Sequence, residues 1–203
     1  MLGRFGALAF LLMTNAVLAR RLSVPEMSMY LVIVSVVTLV ANLGQLGLPQ
    51  IVIKLLGSDD ARSSRPYTSD VVRSALLVAA GTGTVLAAVV AITQVGPVLA
   101  NWRPPVWLWG VVGVWIVFDT ARLVGVAALR GQNHIREATL LGDTGKNLLV
   151  LLPALLIPGD LLSVDAIVIA SALCSLALLI SVIVSLRSSV LTRRRLTESS
   201  PRV

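Results

Sequence analysis

The sequence is short of charge, of aromatic side chains and of cysteine. Charged residues make up 13% of the 203 positions and aromatic residues 4%, whereas a soluble domain carries about 25% charged residues. The single cysteine, Cys174, has no partner for an internal disulfide and no cluster for a metal. The single histidine, His134, has no second ligand beside it. Because serine nucleophile contexts and paired loop carboxylates are also missing, we expect no metal, no cofactor and no enzymatic activity.

Hydrophobic residues dominate instead, and they come in long runs. They form 56% of the chain, and the mean hydropathy is +0.89. An apolar run of about 18 residues or more is long enough for a helix to cross a bilayer. We therefore predict an all-α, polytopic membrane helix bundle of six transmembrane helices over residues 1–187, with a basic cytoplasmic tail over 188–203. The predicted spans are about 2–19, 29–53, 71–95, 106–129, 137–157 and 164–186.

The distribution of basic residues predicts the orientation. Twelve of the 17 lysines and arginines lie on the side of the N-terminus and the tail, and three lie on the other side. Cytoplasmic loops carry such an excess, so we expect both termini in the cytoplasm. Trp102, Trp107 and Trp109 then gather at the outer interface. Nucleic acid is not an expected partner, because no recognition motif accompanies the net charge of +7. Arg193–Arg195 are expected to touch anionic lipid.

The first predicted span has a second interpretation. Residues 1–19 combine Arg4, a short apolar stretch and small residues near their end, as a cleavable signal peptide does. Cleavage would leave five helices and reassign the loops. The run continues into Arg20 and Arg21, and the charge count favours a retained helix.

Four charged residues fall inside the predicted fourth and fifth spans. Asp119 and Arg122 are spaced i, i+3, as are Asp143 and Lys146, so each pair shares one face of its helix. A short loop around Asn133 makes the two helices antiparallel neighbours. A charge at the bilayer centre costs about 2.5–3.5 kcal/mol on insertion scales. We predict two crossed ion pairs, Arg122 with Asp143 and Asp119 with Lys146.

A polar stripe runs along the predicted fifth helix. Arg136, Thr139, Asp143, Lys146 and Asn147 share it, and a polar stripe in a membrane helix must face protein or water. Two interpretations stay open. The stripe lines an aqueous cavity that receives a polar substrate, or its charges neutralise each other and hold two helices together.

Amides and helix-breaking residues occur together in the predicted second helix. Asn42, Gln45 and Gln50 accompany Gly47 and Pro49, and such residues bend a helix and free its carbonyl groups. The bend either contacts a sugar or ion, or packs closely against a neighbouring helix. Small residues in other spans are predicted to make helix contacts: Gly81, Gly83, Gly110, Gly113, Ser171 and Ser175.

Three segments resemble the polysaccharide transporters, the lipid-linked oligosaccharide flippases of the multidrug/oligosaccharidyl-lipid/polysaccharide exporter superfamily. Leu22–Tyr30 is similar to their first loop, and Gly44–Lys54 is similar to the phrase that ends their second helix. Leu129–Arg136 is similar to the connection between their fourth and fifth helices. Met27 and Ser28 depart from the pattern, since an aromatic residue and a glycine are more usual there.

The resemblance implies a bundle in the bacterial cytoplasmic (inner) membrane that flips a lipid-linked oligosaccharide to the outer leaflet. Members present a cationic cavity to the pyrophosphate and glycan, which implies the cavity residues Arg122, Lys146, Arg130, Asn42, Gln45 and Asn147 here. Members have two similar halves and this chain resembles the first, so a second half-transporter chain or a homodimer is the expected partner. A fragment of a longer transporter is a further interpretation. The alternatives are a non-transporting scaffold or assembly protein and a multidrug exporter of the same superfamily.

Overall fold

The computed structural model describes residues 2–57, 65–93, 105–158 and 163–198, and within these ranges the chain is all helical. A π-helical turn lies at Leu140–Thr144. The helices are α1 (Leu2–Arg21), α2 (Val24–Gly44), α3 (Leu48–Gly57), α4 (Arg65–Thr93), α5 (Val106–Gly131), α6 (Ile135–Thr139), α7 (Gly145–Leu156) and α8 (Val164–Glu198).

Five helical segments are long and apolar enough to cross a membrane. They are Val24–Gly44, Asp70–Ile92, Trp107–Gly131, Ile135–Leu156 and Val164–Ser188. The prediction of an all-helical, multi-pass membrane protein is therefore confirmed. The α1 helix is not among the five segments found in the described residues, so the count of six spans and the cytoplasmic termini stay predictions.

The predicted span over 29–53 is divided in the structure. Its first part begins earlier, at Val24, where the backbone N–H of Ser23 donates to Glu26 Oε2 at 2.9 Å and so caps the start of α2. The helix ends at Gly44 because the backbone turns left-handed, with φ 45° at Leu46 and φ 75° at Gly47. Glycine tolerates that conformation without steric penalty, and the short α3 follows.

The predicted fifth span is also interrupted. Gly142 has ψ −139°, outside the helical range, and the π-helical turn sits around it. Further along, Pro153 lies inside α7 and has no N–H to donate to the carbonyl of Leu149. The thiol of Cys174 on α8 takes that place, with Sγ 3.4 Å from the Leu149 oxygen. Cys174 therefore links α8 to α7 through a hydrogen bond from its thiol.

The last helix is longer than its predicted span. The α8 helix has 35 residues and continues through the predicted tail as far as Glu198. At 1.5 Å per residue it is about 52 Å long, whereas the hydrocarbon core of a bilayer is about 30 Å thick. Part of α8 must therefore extend past the hydrocarbon.

The α5 helix lies at the centre of the bundle, against α2, α3, α4 and α8. Close approach depends on small residues: a Cβ on Gly83 of α4 would lie 3.3 Å from Val117 Cα, and one on Gly113 would lie 3.4 Å from Ala87 Cβ. Gly81 and Gly110 have nothing within 4 Å of such a Cβ. Of these four predicted contact glycines, Gly83 and Gly113 make helix contacts within the described chain.

Candidate intramembrane charge site

Asp119 holds two cations at the junction of α5 and α7. Lys146 Nζ donates to Asp119 Oδ2 at 2.8 Å. Arg122, one turn further along α5, donates from Nε to Asp119 Oδ1 at 3.0 Å, and its Nη2 lies 3.0 Å from the same oxygen. Both oxygens of one carboxylate are therefore occupied by charged donors. Such charge-assisted hydrogen bonds are roughly twice as strong as neutral ones.

The site is almost closed to the surroundings of the bundle. Asp119 and Arg122 are fully buried, while the Lys146 side chain is 16% exposed. Removing one member of a buried ion pair leaves an uncompensated charge, which is costly in a low-dielectric interior. Lys146 is the member of the site that a molecule outside the protein can reach.

Both predicted ion pairs are present, but the pair between Arg122 and Asp143 is the longer one. The pairing of Asp119 with Lys146 follows the expected register, but Arg122 Nη2 lies 4.0 Å from Asp143 Oδ1, and the Asp143 side chain is 73% exposed. The nearer partner of Arg122 is Asp119 in its own helix. Asp143 lies within the π-helical turn, directly after Gly142, whose backbone leaves the helical range.

The same π-helical turn supplies a further partner for Arg122. The Nη1 group donates to the backbone oxygen of Leu141 at 3.3 Å. A carbonyl group freed from a helix inside a membrane needs a donor from a neighbouring helix. Sequence reasoning missed this contact, although Gly142 and Gly145 mark the place where the helix departs from regular geometry.

Trp115 is a second residue that sequence reasoning missed. Lys146 Nζ lies 5.7 Å from the centre of the Trp115 ring, within the range of a cation–π interaction. Trp115 precedes Asp119 by four residues and therefore lies on the same face of α5. That spacing is the signal from which the contact was predictable.

The other candidate cavity residues lie elsewhere. Asn147 donates from Nδ2 to the backbone oxygen of Ala7 at 2.8 Å, and so joins α7 to α1. Gln45 donates to Asn42 Oδ1 at 3.0 Å, which pairs the two amides along α2. Arg130 is exposed at the end of α5. Of the six predicted cavity residues, Arg122 and Lys146 therefore meet at Asp119, and Asn42 and Gln45 pair with each other.

The fold and this site define the class of the protein: a multi-pass helical membrane protein with a buried charge cluster between two of its helices. Comparisons with protein-family models, with curated proteins and with solved structures found no match to the chain.

Proposed function

We propose that the chain transports a lipid-linked oligosaccharide across the bacterial cytoplasmic membrane, as a half-length flippase that works with a second copy or a second half-transporter chain. The observation that carries the proposal is the imbalance of charge at Asp119. One buried carboxylate, that of Asp119, contacts both Arg122 and Lys146, while the second carboxylate, Asp143, lies 4.0 Å from Arg122 and is 73% exposed. Inside the bundle the two cations of this site therefore have one buried carboxylate between them. A lipid pyrophosphate carries the opposite charge.

The two cations take different parts in the proposal. Arg122 is fully buried and bound by Asp119 and the Leu141 carbonyl, so it fixes the position of the site. Lys146 is partly exposed, and its ammonium has three N–H donors, of which Asp119 accepts one. Lys146 is therefore the group that we expect to contact the phosphate. Phosphate binding by a lysine point charge is common in proteins.

The transport assay compares the two lysines of the chain. Proteoliposomes would contain the chain and a fluorescent lipid-linked oligosaccharide, and a membrane-impermeant quencher would report movement between leaflets. We expect Lys146→Gln to lower the rate at least about tenfold, which corresponds to the loss of one charge-assisted hydrogen bond. Lys54→Gln is the matched control, because Lys54 is exposed on α3. Equal rates for the two variants would contradict the proposal.

The requirement for a second chain has its own test. We expect the purified protein to form a dimer in lipid nanodiscs, or to be captured with another membrane protein of about six helices. Transport by a strict monomer would contradict the half-transporter arrangement.

The proposed topology has a separate test. Reporter fusions after residue 203 should be active in the cytoplasm, since the proposal includes six spans with both termini inside.

A non-transporting scaffold is a second candidate, and one observation favours it. Asp119 uses both carboxylate oxygens within the protein, as expected if the charges serve to join α5 and α7. Simultaneous replacement of Asp119, Arg122 and Lys146 by apolar residues of similar size separates the candidates. A scaffold keeps its phenotype in that variant, whereas a flippase loses surface polysaccharide. A multidrug exporter would lose drug resistance instead.

A further inference from the structure

The exposed face of α2 carries a repeating pattern of polar residues. Six residues follow one another at alternating intervals of three and four: Ser28, Leu31, Ser35, Thr38, Asn42 and Gln45. Residues at this spacing lie in one stripe along a helix. Gln45 is half-buried and the other five are exposed. We refer to these six residues as the α2 seam.

Most of the α2 seam lies at the depth of the hydrocarbon. A Cβ on Gly44 would lie 3.1 Å from Thr120 Cγ2, and Thr120 is about half-way along the apolar segment Trp107–Gly131 of α5. Gly44 is therefore near the centre of the bilayer. At 1.5 Å per residue, Asn42 is about 3 Å from that level and Ser35 about 14 Å, while the hydrocarbon extends about 15 Å on each side of the centre. The α2 seam thus lies in the hydrocarbon from Ser35 onward.

The polar groups of the α2 seam retain hydrogen-bonding capacity. Gln45 Nε2 donates to Asn42 Oδ1 at 3.0 Å and to Ala41 O at 3.3 Å. The Asn42 amino group and the Gln45 side-chain oxygen are left without a partner among the described residues. The Thr38 hydroxyl also makes no hydrogen bond within that part of the chain. Lipid tails offer no hydrogen bonds, so water or another protein chain must meet these groups.

Exposed leucines beside the α2 seam favour a protein helix over water. Leu39, Leu43 and Leu46 each follow a seam residue by one position, and they are 62%, 57% and 70% exposed. Apolar side chains bordering amides and hydroxyls are typical of contacts between membrane helices, which combine van der Waals packing with hydrogen bonds. A spacing that averages 3.5 residues keeps such a stripe against one partner helix over several turns.

The chemistry of the α2 seam suits a second copy of the same chain. In a two-fold symmetric interface the same surface meets itself. Hydroxyl and amide side chains both donate and accept hydrogen bonds, so each of them can bond its own copy, and the seam contains no charged residue. By contrast, the exposed Asp143 carboxylate would meet a like charge across such an axis.

The membrane fixes the direction of the two helices. Two copies inserted with the same orientation are related by an axis along the membrane normal, so their α2 helices run parallel. An asparagine in the contact stripe of two parallel helices sets their register, and Asn42 takes that position here. We propose that the α2 seam pairs with the α2 seam of a second copy, in parallel and in register. The inference rests on the proposed function in naming the partner of the half-transporter, and its tests involve no transport.

Cysteine cross-linking in native membranes tests the proposal. Cys174→Ser removes the single cysteine of the chain. In that background we expect Ser35→Cys to form a disulfide-linked dimer on mild oxidation, because parallel helices in register bring identical positions within disulfide distance. Ile92→Cys is the matched control and should stay monomeric. Ile92 is 80% exposed on α4, and the contact of Thr82 Oγ1 with Gly44 O places it at about the depth of Ser35.

The hydrogen bonds of the α2 seam have a second test, which needs no disulfide. Förster transfer between copies fused to donor and acceptor fluorescent proteins, measured as the chain is diluted with lipid in liposomes, gives the Kd of the dimer. Asn42→Leu should raise this Kd about fivefold or more, through the loss of hydrogen bonds between the two helices. Asn15→Leu is the matched control and should leave the Kd unchanged, because Asn15 lies on α1 outside the α2 seam.

Three results would overturn the proposal. The first is equal cross-linking of Ser35→Cys and Ile92→Cys. The second is reaction of Ser35→Cys with a membrane-impermeant maleimide, which would assign the α2 seam to a water-filled cavity. The third is a cross-link to a different protein. A dimer that forms through the α2 seam but transports nothing would refute the proposed function alone, whereas transport by a chain whose seam does not pair would refute this inference alone.

Discussion

The α4 and α5 helices lie side by side and handle polar groups in opposite ways. In the apolar segment of α5, 67% of the residues are buried, against 28% in that of α4. The α5 helix places Asp119 and Arg122 in its buried face, whereas α4 exposes large apolar side chains such as Leu77 and Ile92. Because α5 packs against four other helices, its charged groups meet protein rather than lipid.

The largest expected effect comes from removing the carboxylate that holds the α5 charges. Asp119→Asn removes the carboxylate that both Arg122 and Lys146 contact and leaves the buried Arg122 with the exposed Asp143 at 4.0 Å. We expect a loss of about 3–5 kcal/mol in the free energy of unfolding. Unfolding in mixed micelles would measure it. Asp143→Asn is the control, since that side chain is 73% exposed and should change stability by less than about 0.5 kcal/mol. Similar losses in both variants would refute the assignment of Asp119 as the central group.

A smaller effect is expected from filling the close contacts of α5. A Cβ on Gly125 would lie 2.6 Å from Val182 Cγ1, so Gly125→Ala should lower the free energy of unfolding by about 1–3 kcal/mol through overpacking. Gly81→Ala on α4 meets nothing within 4 Å and should be nearly neutral. If Gly81→Ala were the more harmful of the two, α4 and α5 would not differ in the way described.

The smallest effect concerns the polar groups of α4 itself. Thr82 Oγ1 contacts the Gly44 carbonyl of α2 at 2.7 Å, whereas Thr84 Oγ1 donates to Ala80 O within its own helix at 2.8 Å. Thr82→Val should therefore lower the free energy of unfolding by about 0.6 kcal/mol, the average for such contacts between membrane helices. Thr84→Val should leave it almost unchanged. The same micelle titration distinguishes them, and equal values would remove Thr82 as a link between α2 and α4.

The sequence was sufficient to predict the apolar helices and the pairing of Asp119 with Lys146. Long apolar runs have few structural solutions in a membrane, and a short loop forces α5 and the segment after it to be antiparallel. Opposite charges at matching depths are then expected to pair, because pairing lowers the cost of burying each of them. These predictions follow from spacing and from the cost of burying charge, which are local properties of the chain.

The parts that escaped prediction depend on backbone conformation and on contacts between distant helices. The left-handed turn at Leu46 and Gly47 divides the second apolar run, and the non-helical ψ of Gly142 interrupts the fifth one directly before Asp143. Neither angle is specified by composition, because glycine is also common in regular membrane helices. The Ser171 and Ser175 hydroxyls are buried and have no hydrogen-bond partner among the described residues, which likewise depends on how α8 packs against its neighbours.

The uninterrupted length of α8 has a mechanical consequence. A helix of 35 residues behaves as one stiff rod, so a change of tilt inside the bilayer is transmitted along its whole length. A tilt of about 10° about one end would sweep the other end through roughly 9 Å, given a rise of 1.5 Å per residue. Angular changes too small to disturb side-chain contacts near Ser175 would thus become displacements of a size that a protein or lipid headgroup at the membrane surface can sense.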